Sequence, residues 1–110
     1  MNKNTTYTVL TDANFQQEVL EYPGPVLVAF GADWCGTCRI IEPILERLEA
    51  EYKGRIKFGK LDVYHNERTA EAYAMAKLPT LIFFKDGQVM DHIIGVASEK
   101  VIAAKLRSLL

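Results

Sequence analysis

The sequence predicts a single α/β domain in which a mixed β-sheet lies between two layers of helices. Val26–Phe30 is apolar without alternation, which is typical of a strand that is covered on both faces. Strand-like and helix-like segments follow in the order βαβαβαββα, and an Asp86-Gly87 pair between the last two strands indicates a hairpin and therefore an antiparallel edge. At 110 residues, the chain is expected to form one domain over residues 1–110.

The first half of the chain is predicted to form a strand, a helix, a strand and a long helix. Thr11 or Asp12 suits the start of the first helix, because both side chains accept hydrogen bonds from free N–H groups. In order, the predicted elements are a strand over Tyr7–Leu10, a helix carrying Phe15, Val19 and Leu20, a turn at Tyr22–Pro25, a central strand over Val26–Phe30, and a helix from Cys35 to about Tyr52 with a kink at Pro43 and with Ile40, Ile41, Ile44, Leu45 and Leu48 facing the core.

The second half is predicted to contain three more strands and two more helices. Ser98 suits the start of the final helix, for the same reason as Thr11. The predicted elements are a strand over Ile56–Val63, a short helix over Asn66–Met75, strands over Thr80–Phe84 and Val89–Ile94, and a final helix whose core stripe is Val101, Ile102, Leu106 and Leu109.

Charge and composition exclude several classes of function. The formal net charge of -1 and the pI near 6.1 give no electrostatic reason to bind nucleic acid or an anionic membrane. The polar start, Met1–Tyr7, has no apolar run of a signal peptide, and no later stretch has membrane-spanning length, so a cytoplasmic location is expected. Two cysteines in a chain of this size indicate a redox pair in a reducing compartment.

The two cysteines, Cys35 and Cys38, lie beside the only tryptophan, Trp34, where a predicted strand leads into a helix. Free N–H groups and the helix dipole favour a thiolate at this position, so Cys35 is predicted to be the nucleophile. A spacing of three places Cys38 beneath it, close enough for a disulfide and better shielded, as the resolving thiol. The alternatives are a structural disulfide or half of a zinc site, although His65 and His92 are not spaced as further ligands.

With these motifs in place, the chain resembles thioredoxin over nearly its whole length. The resemblance rests on Val26–Phe30, Ala32–Arg39, Pro43–Leu45, Lys60–Asp62, Leu78–Leu81, Asp86-Gly87 and Gly95. It implies the thioredoxin fold, exchange with protein disulfides, and a flavoprotein thioredoxin reductase as electron donor. No metal, flavin or nucleotide is implied as cofactor beyond the Cys35–Cys38 couple itself, and the protein is expected to act as a monomer.

The resemblance also implies a substrate groove beside the cysteines. Pro79 would follow a cis peptide bond and lie against the pair, while its neighbouring backbone pairs with an extended substrate. Trp34 would shield the nucleophile and contact substrate, with core filling as the alternative. The residues assigned to the groove are Trp34, Gly36, Thr37, Leu78, Pro79, Thr80, Gly95 and Val96.

This sequence departs from the thioredoxin pattern at several positions. Ala29 stands where the family usually has a buried aspartate that moves the proton of the resolving cysteine. Thr37 replaces a proline, which restores an N–H group that would stabilise the Cys35 thiolate and make the pair more oxidising. Gly31 replaces a tryptophan and Lys77 a glycine, so different partners are expected.

Glu42 is a candidate replacement for the missing aspartate, because it lies four residues after Cys38 on the same helical face. Some membrane-tethered thioredoxin-like proteins of cytochrome maturation resemble this arrangement. The alternative is a solvated residue or a partner of Arg39 or Arg47.

The predicted function is the reduction of protein disulfides through Cys35 and Cys38. A redox-sensing or scaffolding module with poor turnover is the alternative, because loss of the usual proton acceptor would slow resolution. A role as a disulfide oxidase or isomerase is the third possible function.

Overall fold

A computed structural model describes residues 7–110, and the polar start, residues 1–6, lies outside the described residues. Five strands form one sheet in the order β1-β3-β2-β4-β5. The strands are β1 (Thr8–Leu10), β2 (Pro25–Gly31), β3 (Lys57–Asp62), β4 (Thr80–Lys85) and β5 (Gln88–Ile94). β3 runs parallel to β1 and β2, whereas β4 is antiparallel to β2 and β5. The mixed sheet, the central strand and the antiparallel edge are therefore confirmed.

Helices cover both faces of this sheet, as predicted. They are a π-helical segment (Gln16–Leu20), α1 (Gly36–Glu51), α2 (Glu67–Ala72) and α3 (Glu99–Arg107). Side chains alternate across a strand, so Leu27 of β2 packs with α1 and α3 while its neighbours Val26 and Val28 pack on the opposite face. The cluster on the first face includes Ile41, Leu45, Leu48, Phe83, Ile102 and Leu106; the cluster on the second includes Phe15, Val19, Phe30, Leu61 and Phe84.

Two predicted core residues lie at the surface instead. Ile40 is 59% exposed and Val101 is 46% exposed. Each is next to a buried residue, Ile41 or Ile102, and a helix turns by about 100° per residue. The apolar stripe predicted from sequence was therefore one position too wide on both helices.

The predicted first helix is a five-residue π-helical segment. Thr11 does not cap it, because the N-cap residue is Phe15, which makes no side-chain cap hydrogen bond. Thr11 Oγ1 instead accepts a hydrogen bond from the N–H of Asn14 at 3.1 Å, in the turn that precedes the segment. Asp12 does not cap this segment; its carboxylate accepts hydrogen bonds from the N–H and hydroxyl groups of Thr69, at 2.8 and 2.7 Å, in the first turn of α2.

The hairpin between β4 and β5 has the predicted Asp-Gly turn. Asp86 and Gly87 both have positive φ, 51° and 80°, as a two-residue turn of this kind requires. No helix within residues 7–110 is both long enough and apolar enough to cross a membrane.

Candidate active site

The candidate active site lies where β2 leads into α1. Cys35 is the N-cap residue of α1, and it forms a disulfide with Cys38 in the first turn. The N–H of Cys38 donates a hydrogen bond to Cys35 Sγ at 3.1 Å. In the reduced protein, this N–H group and the positive end of the helix dipole would stabilise negative charge on Cys35.

The two cysteines do not differ in shielding as predicted. Cys35 is 5% exposed and Cys38 is 8% exposed, so the expectation that Cys38 is the better shielded residue is wrong. The reason is that Cys38 borders a cavity that is partly open to solvent. What separates the two residues is the space that each borders: Cys35 lines an open groove, and Cys38 lines a cavity behind it.

The groove in front of Cys35 has a volume of about 580 Å³. Its lining includes four of the assigned groove residues, namely Trp34, Gly36, Thr37 and Leu78, together with Lys77. Trp34 is 69% exposed, which does not fit the alternative that it fills the core.

Three further residues line the groove, Val63, Met75 and Ala76, and no sequence pattern had indicated them. Met75 was expected to pack within a helix, but α2 ends at Ala72. The turn that follows carries this part of the chain to the groove.

The remaining groove residues form or support the loop before β4. The Leu78–Pro79 peptide bond is cis, as the resemblance implies. The hydroxyl of Thr80 donates to Lys77 O at 2.6 Å, and the N–H of Gly95 donates to Pro79 O at 2.7 Å. Pro79, Thr80 and Gly95 are buried, and Pro79 lines the cavity with Cys38 instead of the groove in front of Cys35. Thr80 and Gly95 therefore hold the loop from behind, whereas Val96 stays exposed at the surface.

Thr37 contacts both the nucleophile and this loop through its hydroxyl group. Its Oγ1 donates to Leu78 O at 3.1 Å and lies 3.3 Å from Cys35 Sγ. The backbone donor that reaches Cys35 Sγ is the N–H of Cys38 rather than that of Thr37. The expected contribution of the Thr37 N–H to the thiolate of the reduced protein stays a prediction.

Behind the disulfide is a cavity of about 300 Å³, lined by Ala29, Gly31, Cys38, Glu42 and Lys60 among others. Ala29 of β2 pairs in register with Lys60 of β3. A methyl group added at Gly31 would lie only 3.1 Å from Cys38 Sγ. Gly31 therefore lets the sulfur of Cys38 lie close to β2, and Ala29 lines the same cavity with a small side chain.

Glu42 is exposed and lines this cavity together with Cys38. The two arginines that were its alternative partners are engaged elsewhere. Arg39 donates to the backbone oxygen of Asp33 at 3.1 Å, and Arg47 forms an ion pair with Glu99 at 2.8 Å. The alternative of an ion pair with either arginine is therefore not supported, whereas the exposure of Glu42 fits the alternative of a solvated residue.

Lys60 also lines the cavity, and its Nζ lies 4.3 Å from the centroid of the Tyr7 ring. This cation–π contact fits the ordinary packing of a long lysine side chain. In the described part of the chain, no group of three or more His, Cys, Asp or Glu residues is placed to hold a metal ion.

Comparison with known proteins gives consistent matches. The family model described as thioredoxin matches residues 6–108. A thioredoxin of Pseudomonas aeruginosa is 42% identical over 97 residues, which cover 88% of this chain and 90% of the relative. Thioredoxin C-2 of Corynebacterium nephridii is 44% identical over 92% of this chain and 94% of its own length. A thioredoxin of Staphylococcus aureus is 44% identical over 88% of this chain and 91% of its own length.

Proposed function

The chain belongs to the thioredoxin family and is a thiol–disulfide oxidoreductase that reduces protein disulfides; from this premise we propose the roles of its two cysteines. Cys35 is the attacking thiolate and Cys38 is the resolving thiol. The observation that carries this assignment is that Cys35 lies at the helix N-cap and lines the open groove, whereas Cys38 lines the cavity behind it.

The reaction proceeds in two sulfur exchanges. The Cys35 thiolate attacks one sulfur of the substrate disulfide, forms a mixed disulfide and releases the other substrate sulfur as a thiolate. Cys38 then loses its proton and attacks Cys35 Sγ, which releases the second substrate thiolate and forms the Cys35–Cys38 disulfide. Two electrons pass to the substrate, and the two sulfur atoms are the redox centre.

Substrate binding falls to the groove. Trp34 presents an exposed apolar ring beside Cys35, and Gly36, Thr37 and Leu78 form the adjoining lining. Pro79, Thr80, Gly95 and Val96 complete the proposed binding surface, Thr80 and Gly95 by holding the loop through their hydrogen bonds. An extended segment of the substrate protein fits such a surface, because its backbone can pair with the edge of the loop.

Glu42 is the proposed proton acceptor for Cys38. The usual aspartate is absent at Ala29, so the second exchange needs another route for the Cys38 proton. Glu42 and Cys38 line the same cavity, and its volume of about 300 Å³ leaves room for bridging water. Water between the carboxylate and the sulfur would carry the proton from Cys38 to Glu42.

The oxidised pair must be reduced again after each turnover. A flavoprotein thioredoxin reductase or another dithiol reductant is the proposed electron donor, and the proposed location is the cytoplasm, where thiols are kept reduced. The protein is proposed to act as a monomer without a further cofactor.

The test is the rate at which the protein cleaves insulin disulfides with dithiothreitol as reductant. Parent activity should exceed that of Cys35→Ser and the uncatalysed background by at least tenfold. The Cys38→Ser variant should instead accumulate a mixed disulfide with its substrate, which mass spectrometry detects. Equal rates for the parent and Cys35→Ser would overturn the assignment and favour the sensing or scaffolding module.

A further inference from the structure

The hydroxyl group of Thr37 has two acceptors within reach and a single hydrogen to donate. Leu78 O is 3.1 Å from Thr37 Oγ1, and Cys35 Sγ is 3.3 Å away. A hydroxyl hydrogen rotates to suit its best acceptor. Thr37 therefore lies between the nucleophile and the loop before β4, and its hydroxyl can donate a hydrogen bond to one or the other.

The redox state of Cys35 decides which acceptor is the better one. In the disulfide, Cys35 Sγ is uncharged and a weak acceptor, so the Leu78 carbonyl takes the hydrogen bond. In the reduced protein, the thiolate carries a full charge, and hydrogen bonds to charged acceptors are roughly twice as strong as neutral ones. The preference of the hydroxyl hydrogen then reverses.

We propose that the Thr37 hydroxyl is a redox-dependent donor, bound to Leu78 O in the oxidised protein and to the Cys35 thiolate in the reduced protein. This inference rests on the proposed function, in which Cys35 is the attacking thiolate. Together with the N–H of Cys38, which lies 3.1 Å from Cys35 Sγ, the hydroxyl gives the thiolate two donors from the first turn of α1. Thr37 thus acts as a positioning residue that raises the fraction of reactive thiolate.

Other charges near Cys35 remain in place when only Thr37 is changed. Lys77 lines the groove beside Cys35, and Asp33 and Arg39 flank the start of α1. Glu42 lies on the cavity side with Cys38. A comparison of variants at position 37 therefore isolates the hydroxyl group.

The first experiment measures the pKa of the Cys35 thiol from the pH dependence of iodoacetamide alkylation. It uses the full chain with Cys38→Ser, so that one thiol titrates. Thr37→Val removes the hydroxyl at constant shape and is expected to raise this pKa by about 0.5 to 1 unit, which is about three- to tenfold less thiolate below the pKa. Thr37→Ser keeps the hydroxyl and should stay within about 0.2 units of the parent, well inside that expected change.

The second experiment follows the other end of the switch. In the parent protein, the carbonyl ¹³C resonance of Leu78 should shift on reduction, because the Thr37 hydroxyl no longer donates to this carbonyl. In Thr37→Val, the shift should be less than half as large. Thr37→Ala provides a second hydroxyl-free variant if the valine variant does not fold.

The proposal is overturned if the pKa of the Cys35 thiol is unchanged in both hydroxyl-free variants. It is also overturned if reduction moves the carbonyl ¹³C resonance of Leu78 equally with and without the hydroxyl. Such a result leaves the insulin assay of the parent intact, so it is distinct from failure of the proposed function. That function fails only if the parent and Cys35→Ser reduce insulin equally.

Discussion

Replacing Glu42 with glutamine tests the proposed route for the Cys38 proton. The change keeps the size of the side chain and removes its capacity to accept a proton at neutral pH. A general base in direct contact with the reacting group typically contributes about 10² to 10⁴ in rate. Glu42 is exposed and reaches Cys38 only across the cavity, where solvent competes as acceptor. We therefore expect a loss of about tenfold in the resolution step, or about 1.4 kcal/mol.

The assay separates attack from resolution. Reduced protein is mixed with Ellman's reagent, which releases one coloured thiolate when Cys35 attacks and a second when Cys38 resolves the mixed disulfide. Only the second phase should slow in Glu42→Gln. The difference should shrink at high pH, because Cys38 then loses its proton to hydroxide without an acceptor from the protein.

Two controls define the result. Glu46→Gln makes the same change one helical turn further along α1, outside the cavity that Cys38 lines, and should leave both phases unchanged. Ala29→Asp introduces a carboxylate into that cavity, so adding it to Glu42→Gln should restore part of the lost rate. If the second phase of Glu42→Gln is as fast as that of the parent at neutral pH, the proton-acceptor role is refuted.

Two further predictions concern stability. Leu106 is fully buried in the cluster between the sheet, α1 and α3, so Leu106→Ala should lower the free energy of unfolding, measured in urea, by about 2–5 kcal/mol. Val101→Ala, on the exposed side of α3, should change this free energy by less than about 1 kcal/mol. Equal losses in the two variants would contradict the packing. Hydrogen bonds from Thr69 hold the pKa of Asp12 below its ordinary value of 3.8, so this carboxylate stabilises the fold above that pH and loses its contribution as the pH falls through the lowered pKa. In Asp12→Asn, the free energy of unfolding should therefore fall less steeply below about pH 4 than in the parent. The same acid dependence in both proteins would contradict this assignment.

The fold was predictable from sequence because its signals are local and agree with one another. The apolar run of β2, the Asp-Gly turn at Asp86 and the cap of α3 at Ser98, whose Oγ accepts from the N–H of Val101 at 3.2 Å, each need only neighbouring residues. Strand pairing then follows from the order of elements. A chain with a short hairpin and right-handed crossovers has few ways to complete such a sheet.

Asp12 shows where local reasoning stops. Its position after β1 predicts a cap for the segment that follows, whereas the structure places Thr11 in the preceding turn and Asp12 against the start of α2. The sheet, however, places β1 beside β3, and α2 follows β3, so the start of α2 comes back to Asp12. A hydrogen bond between residues 57 positions apart depends on this topology, and no local pattern contains it.

The reactive residues of the site were predictable from the sequence, but the cavity beside them was not. Cys35, Cys38 and Trp34 follow from one short motif at a strand-to-helix junction. Ala29 and Gly31 were both recognised as departures, but for unrelated reasons, one as a lost acid and the other as a changed partner surface. Only the structure shows that both small residues line the cavity beside Cys38, with Gly31 close to its sulfur.

The departures from the family pattern therefore act on opposite sides of the disulfide. Thr37 is on the groove side, with its Oγ1 3.3 Å from Cys35 Sγ, whereas Ala29, Gly31 and Glu42 line the cavity with Cys38. The two spaces are neighbours, because Leu78 lines the groove and Pro79, which belongs to the proposed binding surface, lines the cavity. Cys35 and Cys38 also remain coupled, because the N–H of Cys38 donates to Cys35 Sγ and the two sulfurs share the disulfide. Substitutions on the groove side and on the cavity side are therefore expected to be non-additive.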